Sequence, residues 1–172
     1  MLKRLQRRGL RALRVVPAPA REWLVRTTTP RYTLGTACWI EHEGNVLLVE
    51  TEYRHGWGFP GGLVDRNENP AAGVVREVRE ETGLAIDLLG EPVVIVDSGQ
   101  RLVDFIYRAA LAPGVLLADA HAASVEIRRV EWVPADNAVA RVEAGRRNGS
   151  RKLRIFDAHR DGGLVFLDGD DR

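Results

Sequence analysis

The chain has 172 residues, 45% hydrophobic and 28% charged, with a formal net charge of +1. That is an ordinary globular balance, long enough for one packed domain with an appendage, and the net charge argues neither for nor against an anionic partner. One cysteine, Cys38, excludes an internal disulfide and a cysteine metal cluster, and no apolar run approaches the ~20 residues of a membrane span.

The charge is unevenly spread. Met1 to Arg21 carries Lys3, Arg4, Arg7, Arg8, Arg11, Arg14 and Arg21 and no acid, which leaves 18 basic against 24 acidic residues in the rest. Leu2, Leu5, Leu10 and Leu13 fall along one helical face between these arginines, so the arm reads as a short basic amphipathic helix. It is assigned to packing on its own domain or fraying from it, with a membrane surface or nucleic acid as the other contacts such a helix suits. "VVPAPA" is too short and too rich in proline for a signal-peptide core, so a cytoplasmic protein is expected, with "VPAPA" as a stiff linker. The expected division is residues 1–26 for arm and linker and 27–172 for the domain.

Within the domain, "YTLGTACWI" (32–40) and "NVLLVE" (45–50) are apolar runs joined by "EHEG", a hairpin signal. "RHGWGFPGG" (54–62) is a loop. A helix is predicted over about 70–82, with Asn69 as its cap, Pro70 in its first turn and Gly83 just past its end. Residues 92–98, 102–111 and 125–133 read as strands, and Pro134 stops the last. Residues 136–147 suit a second helix, and "LRIFDA" and "GLVFLD" suit late strands. Strands around one strong helix, with a second helix late, predict a mixed α/β sandwich.

The strong helix carries the chemistry. With Glu77 at 0° and about 100° per residue, Ala71, Val74, Val75, Val78 and Thr82 form one apolar stripe. Glu77, Glu80 and Glu81 share one edge beside it, with Gly73 in the same sector. Like charges three and four residues apart destabilise a helix by a few tenths of a kcal/mol. Acids in its C-terminal half oppose the macrodipole as well. A hard dication would reverse both terms, because clustered carboxylate oxygens are what Mg²⁺ and Ca²⁺ bind. Read alone, the pattern fits a salt-bridged face about as well as a metal cradle. Gly61-Gly62, which admits close backbone approach, and Glu68, a fourth carboxylate just before the helix, add to the second reading.

"GLVDRNENPAAGVVREVREETGL" (62–84) resembles the Nudix box, G-x5-E-x7-R-E-U-x-E-E-x-G-U with U aliphatic. Gly62, Glu68, Arg76, Glu77, Val78, Glu80, Glu81, Gly83 and Leu84 fill every defined position. Seven fixed residues at roughly 7% usage each make a chance match rarer than about one in a million. The resemblance implies an α/β/α sandwich that hydrolyses a diphosphate linked to another moiety, with Mg²⁺ or Mn²⁺. It implies Glu77 and Glu81 as metal ligands, Glu80 as a third ligand or the base, and the Gly61 carbonyl as a backbone ligand. Arg76 would orient Glu77 or Glu68. For the base, Glu80 stands beside a downstream acid. Glu126 resembles the family's late glutamate, and Asp119 is a weaker candidate. Dimerisation is an expectation by analogy alone.

The substrate is less legible. The proline and tyrosine signatures that follow the box in some subfamilies are absent, with Gly99 at the first position and Gln100, Arg101 and Leu102 at the second. Trp57 and Phe59 could stack on a base, Arg54 could hold a phosphate and Gly62 could admit one, against the alternative of loop packing. His55 reads as a solvated loop residue. A metal-dependent hydrolase of a nucleoside triphosphate or nucleotide sugar is therefore expected. The competing reading is a non-catalytic ligand-sensing module whose basic arm touches nucleic acid.

Overall fold

The computed structural model describes residues 17–20, 27, 29, 31–53, 56–144, 156, 158 and 162–167. Its contacts separate two units, Met1–Arg31 and Tyr32–Arg172. In the first, residues 18–20 are helical, where the sequence reads as linker. The expected arm helix and the 26/27 boundary lie outside the described residues.

The second unit begins with β1 (Thr33–His42) and β2 (Asn45–Thr51), paired antiparallel at Glu41↔Val46 and His42↔Asn45. Glu43 and Gly44 join them, both with positive φ (48° and 75°), which matches the twist of a two-residue hairpin. Below that turn the two strands part. β2 pairs instead with β3 (Trp57–Gly58) on one side and β6 (Ile127–Pro134) on the other. The gap along β1 is filled by the loop at residues 60–64. Cys38 N–H donates to the Pro60 carbonyl (2.9 Å), Thr36 N–H to that of Gly62 (2.9 Å), and Val64 N–H to that of Leu34 (3.0 Å).

On its other edge β1 runs parallel to β5 (Leu102–Leu111), which pairs antiparallel with β4 (Ile86–Asp97). β4 is longer than the expected 92–98, because its register shifts between Leu89 and Val93 around Gly90 (φ 66°) and the strand continues past the irregularity. β7 (Gly163–Leu167) adds parallel to β4. Of "LRIFDA", expected as a strand, the described residues Phe156 and Ala158 are helical, and Phe156 is buried. A short apolar run suits a buried helix turn as well as a strand.

Helix α1 (Pro70–Thr82) covers one sheet face with Val74 and Val78 against Cys38, Ile40, Leu47, Leu84 and Tyr107. Helix α2 (Ala135–Ala144) covers the other, with Ala138 and Val142 among Trp39, Val46, Leu48, Ile95, Ile106 and Phe156. The layers are those of an α/β/α sandwich, as expected. Cys38 is free, fully buried among apolar side chains, and its thiol is pushed far up by that burial. Among the described residues no helix is long and apolar enough to cross a membrane.

Candidate active site

Local chemistry places α1 and hence its acids. Asn69 is extended (φ −90°, ψ 153°) and its side-chain oxygen accepts from Ala72 N–H at 2.8 Å, while Pro70 occupies the first turn. Gly83 ends the helix in the left-handed region (φ 74°), and its N–H donates to the Arg79 carbonyl at 3.0 Å. Of the predicted stripe, Val74, Val78 and Thr82 are buried and Ala71 is partly so. Val75 lies at the stripe's edge and is 37% exposed. Glu81, on the opposite margin, is 9% exposed.

Arg76 is the hub of the acidic edge. Its Nε and Nη2 donate to the two oxygens of Glu68, each at 3.0 Å, in a bidentate fork. Nη1 donates to Glu77 Oε1 (2.9 Å) and Glu80 Oε2 (3.2 Å), and Nη2 also reaches the Leu63 carbonyl (3.2 Å). Arg76 therefore engages both candidates named from the sequence, Glu77 and Glu68, and Glu80 besides. These bonds hold the Glu68 carboxyl below its ordinary 4.5, Arg76 first and the Asp65 N–H second, and they push the guanidinium pKa up.

Glu81 is anchored separately, with Oε2 accepting from Gly61 N–H at 2.8 Å. The glycines make this crowding workable. A Cβ on Gly62 would lie 2.6 Å from the Glu77 carboxylate, one on Gly73 would lie 3.0 Å from Glu68 Oε2, and one on Gly61 (φ 147°) would collide with the Thr36 carbonyl. Gly73 thus makes room for Glu68, and Gly62 for Glu77.

The remaining candidates lie elsewhere. Glu126 is exposed just before β6, its carbonyl accepting from Glu52 N–H (2.8 Å), and no contact among the described residues joins its carboxylate to the helix glutamates. The Asp119 carboxylate accepts from Leu116 N–H (2.8 Å) in a 3-10 turn. Trp57 is 7% exposed, with the guanidiniums of Arg129 and Arg141 each 5.3 Å from its ring centroid. Phe59 is half-buried and packs on Trp39, centroids 5.3 Å apart. Arg54 and His55 lie outside the described residues.

Sequence reasoning missed one wall of the site. A strap at residues 116–124 crosses the end of α1, where His121 N–H donates to the Thr82 carbonyl and Ala123 N–H to that of Glu81, both at 3.1 Å. The His121 ring occupies the space where a Gly83 side chain would be. Trp132 Nε1–H holds the strap from behind through the Leu117 carbonyl (3.1 Å). Between strap and helix lies an open groove of about 960 Å³ lined by Ala72, Val75, Arg76, Arg79, Glu80, Ala123 and Ser124. Its only sequence signal was Gly83, which reads as a helix stop.

A family model described as NUDIX domain matches residues 31–153. The chain is similar to a MutT-like protein of Streptomyces ambofaciens, 26% identical over 67% of this chain and 73% of the relative. It is also similar to a CMP-5'-(N-acetyl-N-hydroxy-3-aminopropyl)phosphonate hydrolase of Streptomyces rubellomurinus, 33% identical over 59% of this chain but only 55% of that relative's length. Its fold is similar to the crystal structure of a NUDIX hydrolase from Nitrosomonas europaea, with a TM-score of 0.66, 21% identity and 81% of each chain covered. With the family model spanning most of the domain that carries the glutamate-lined helix and its glycine loop, the chain belongs to the Nudix hydrolase family.

Proposed function

We propose that the protein hydrolyses the diphosphate bond of a nucleoside diphosphate linked to another moiety, a nucleoside triphosphate or a nucleotide sugar, with Mg²⁺ or Mn²⁺. The observation that carries this reading is the pairing of Glu81 with the Gly61 amide. It sets a buried carboxylate against the glycine loop, while Arg76 gathers Glu68, Glu77 and Glu80 on the same edge. Such an arrangement of acids adds little to folding stability and suits a cationic ligand.

The donor set fits a hard dication in chemistry, since every candidate donor is oxygen: Glu77, Glu80, Glu81 and the Gly61 carbonyl. Bare backbone at Gly62 is also needed for the Glu77 carboxylate to stand where it does, since a side chain there would collide with it. Among the described residues no three acids are gathered at metal-holding spacing, and Glu77 and Glu80 each turn an oxygen to Arg76. Glu80, 58% exposed at its side chain, is the one with freedom to swing from Arg76 to an ion. When bound, the ion supplies charge neutralisation at the diphosphate and acidifies a water.

The chain's own groups supply the rest. Glu80 is assigned the proton of the attacking water, with Glu126 as the second candidate. A bond forms from water oxygen to phosphorus, the bridging P–O bond breaks, and each product leaves with a phosphate. Arg76 orients Glu77 and Glu68 through its hydrogen bonds to both. For Trp57 and Phe59 the observed packing favours the loop-packing reading over base stacking. A cytoplasmic setting and a homodimer go with this reading as proposals.

Nucleotides incubated with Mg²⁺ or Mn²⁺ are expected to release nucleoside monophosphate or phosphate. Glu81→Gln is expected to lower kcat about 100-fold or more with the circular-dichroism melt preserved. Unchanged turnover in that variant overturns the assignment of Glu81. No release from any nucleotide by the wild-type protein overturns the reaction.

A further inference from the structure

The groove between α1 and the strap has a polar rim and an apolar floor, and the reaction proposed above leaves part of it unassigned. Arg76 and Glu80 are the rim it shares with the diphosphate site, and Ala72 and Val75 form the floor. Ala72 is exposed, and Val75, at the margin of the buried stripe, is 37% exposed into the groove.

Arg79 stands over this floor. Arg76, one turn before it, is saturated by Glu68, Glu77 and Glu80. Arg79 forms no side-chain hydrogen bond or ion pair among the described residues, and its nearest acidic neighbour in sequence, Glu80, is bonded to Arg76. Arg79 lies in the last turn of α1, where the helix dipole favours a cation, and its exposed guanidinium keeps its donors for an incoming anion. The opposite wall is preformed, because two backbone bonds tie the strap to the last turn of α1 and Ser124 faces the groove from it. An apolar floor beside a lone guanidinium matches a ring with an anionic substituent.

We propose that this groove binds the second moiety of the substrate, and that the preferred moiety is a ring bearing its own carboxylate or phosphate, held by Arg79. The inference rests on the diphosphate-hydrolase reading, because the shared rim of Arg76 and Glu80 is what connects groove to reaction. It assigns Arg79 as a specificity-determining residue that touches the part of the substrate away from the bond being cut.

A matched pair of probes isolates that contact: UDP-glucuronate and UDP-glucose, which differ by a carboxylate on the sugar. The wild-type protein is expected to favour the sugar acid in kcat/KM. Arg79→Ala is expected to reduce that preference about ten-fold, mostly through KM, and Arg79→Lys to restore part of it. Calorimetric titration of the same pair in EDTA reads the groove without turnover. A wild-type preference for the sugar acid that disappears in Arg79→Ala upholds the assignment, even if neither compound is hydrolysed with metal. In that case it is the assigned reaction on nucleotide sugars that fails. Equal affinity of the wild-type protein for the two probes, or a preference untouched in Arg79→Ala, overturns the groove. If binding of a 5′-triphosphorylated oligoribonucleotide depends on Arg79 and that of the sugar acid does not, the small-molecule assignment is overturned.

Discussion

Two charge clusters in this domain are near mirror images. On α1 a single arginine, Arg76, is surrounded by Glu68, Glu77 and Glu80. Across the sheet a single glutamate, Glu50, meets Arg129 at 2.7 Å and Arg128 at 3.9 Å, with Arg141 nearby on Glu131 at 3.3 Å. In the second cluster the surplus positive charge is absorbed within the protein, because Arg129 and Arg141 both lie over the Trp57 ring. In the first the surplus is negative, it lies beside a glycine loop, and no aromatic or basic side chain among the described residues covers it. The difference separates a cluster whose surplus charge is taken up by an aromatic ring from one whose surplus is left facing the glycine loop.

The sharpest way to break this comparison is to remove each centre. Arg76→Ala is expected to lower kcat about 10–100-fold, since Glu77 and Glu68 lose the group that orients them, and Arg76→Lys is expected to recover little because it cannot reproduce the bidentate fork. Glu50→Gln is expected to leave kcat/KM within about two- to three-fold, because no hydrogen bond or ion pair among the described residues joins the Glu50 cluster to the glutamates of α1. Steady-state rates of the three variants on one nucleotide decide the matter. A Glu50→Gln loss equal to that of Arg76→Ala dissolves the distinction.

Gly83→Ala tests how the first cluster depends on its helix end. The left-handed backbone disfavours a side chain, and the added methyl meets the His121 ring. A loss of about 1–3 kcal/mol in urea unfolding is expected. A neutral substitution would mean that the strap gives way freely.

The smallest effect is with pH. Glu68 and Glu50 have folded pKa values below the ordinary 4.5, lowered first by hydrogen bonds from Arg76 and Arg129 respectively. Their contribution is therefore complete above the unfolded value and lost as pH falls through the folded ones. Thermal melts should be level near neutrality and fall on acidification below about pH 4.5. In Arg76→Ala the fall should be shallower by the Glu68 share alone. A melt that rises on acidification would contradict both pairs.

What could be read in advance follows from how local each signal was. The helix was legible because Asn69, Pro70 and Gly83 act on their own neighbours and the stripe repeats within three turns. The acidic edge was legible for the same reason, together with fixed spacing to Glu68. Val75 was placed in the stripe because periodicity assigns an angle and cannot tell a core from a groove at the stripe's margin. The fate of Trp57 depended on arginines from β6 and α2, far along the chain, which no local pattern connects to it. The strap was invisible for a similar reason, since its contacts to α1 run through backbone atoms of His121 and Ala123. Phe156 and Ala158 were read as strand because burial of Phe156 is compatible with either secondary structure.

The loop that stands in for β2 along β1 has a kinetic meaning. The amides of Thr36, Cys38 and Val64 bind loop to strand through the same kind of ladder as the rest of the sheet. Freeing the glycine loop then requires opening the sheet's centre, so these three amides should exchange with deuterium nearly as slowly as those of the β1–β5 pairing. The glycine loop would lose its shape only when the domain loses its own.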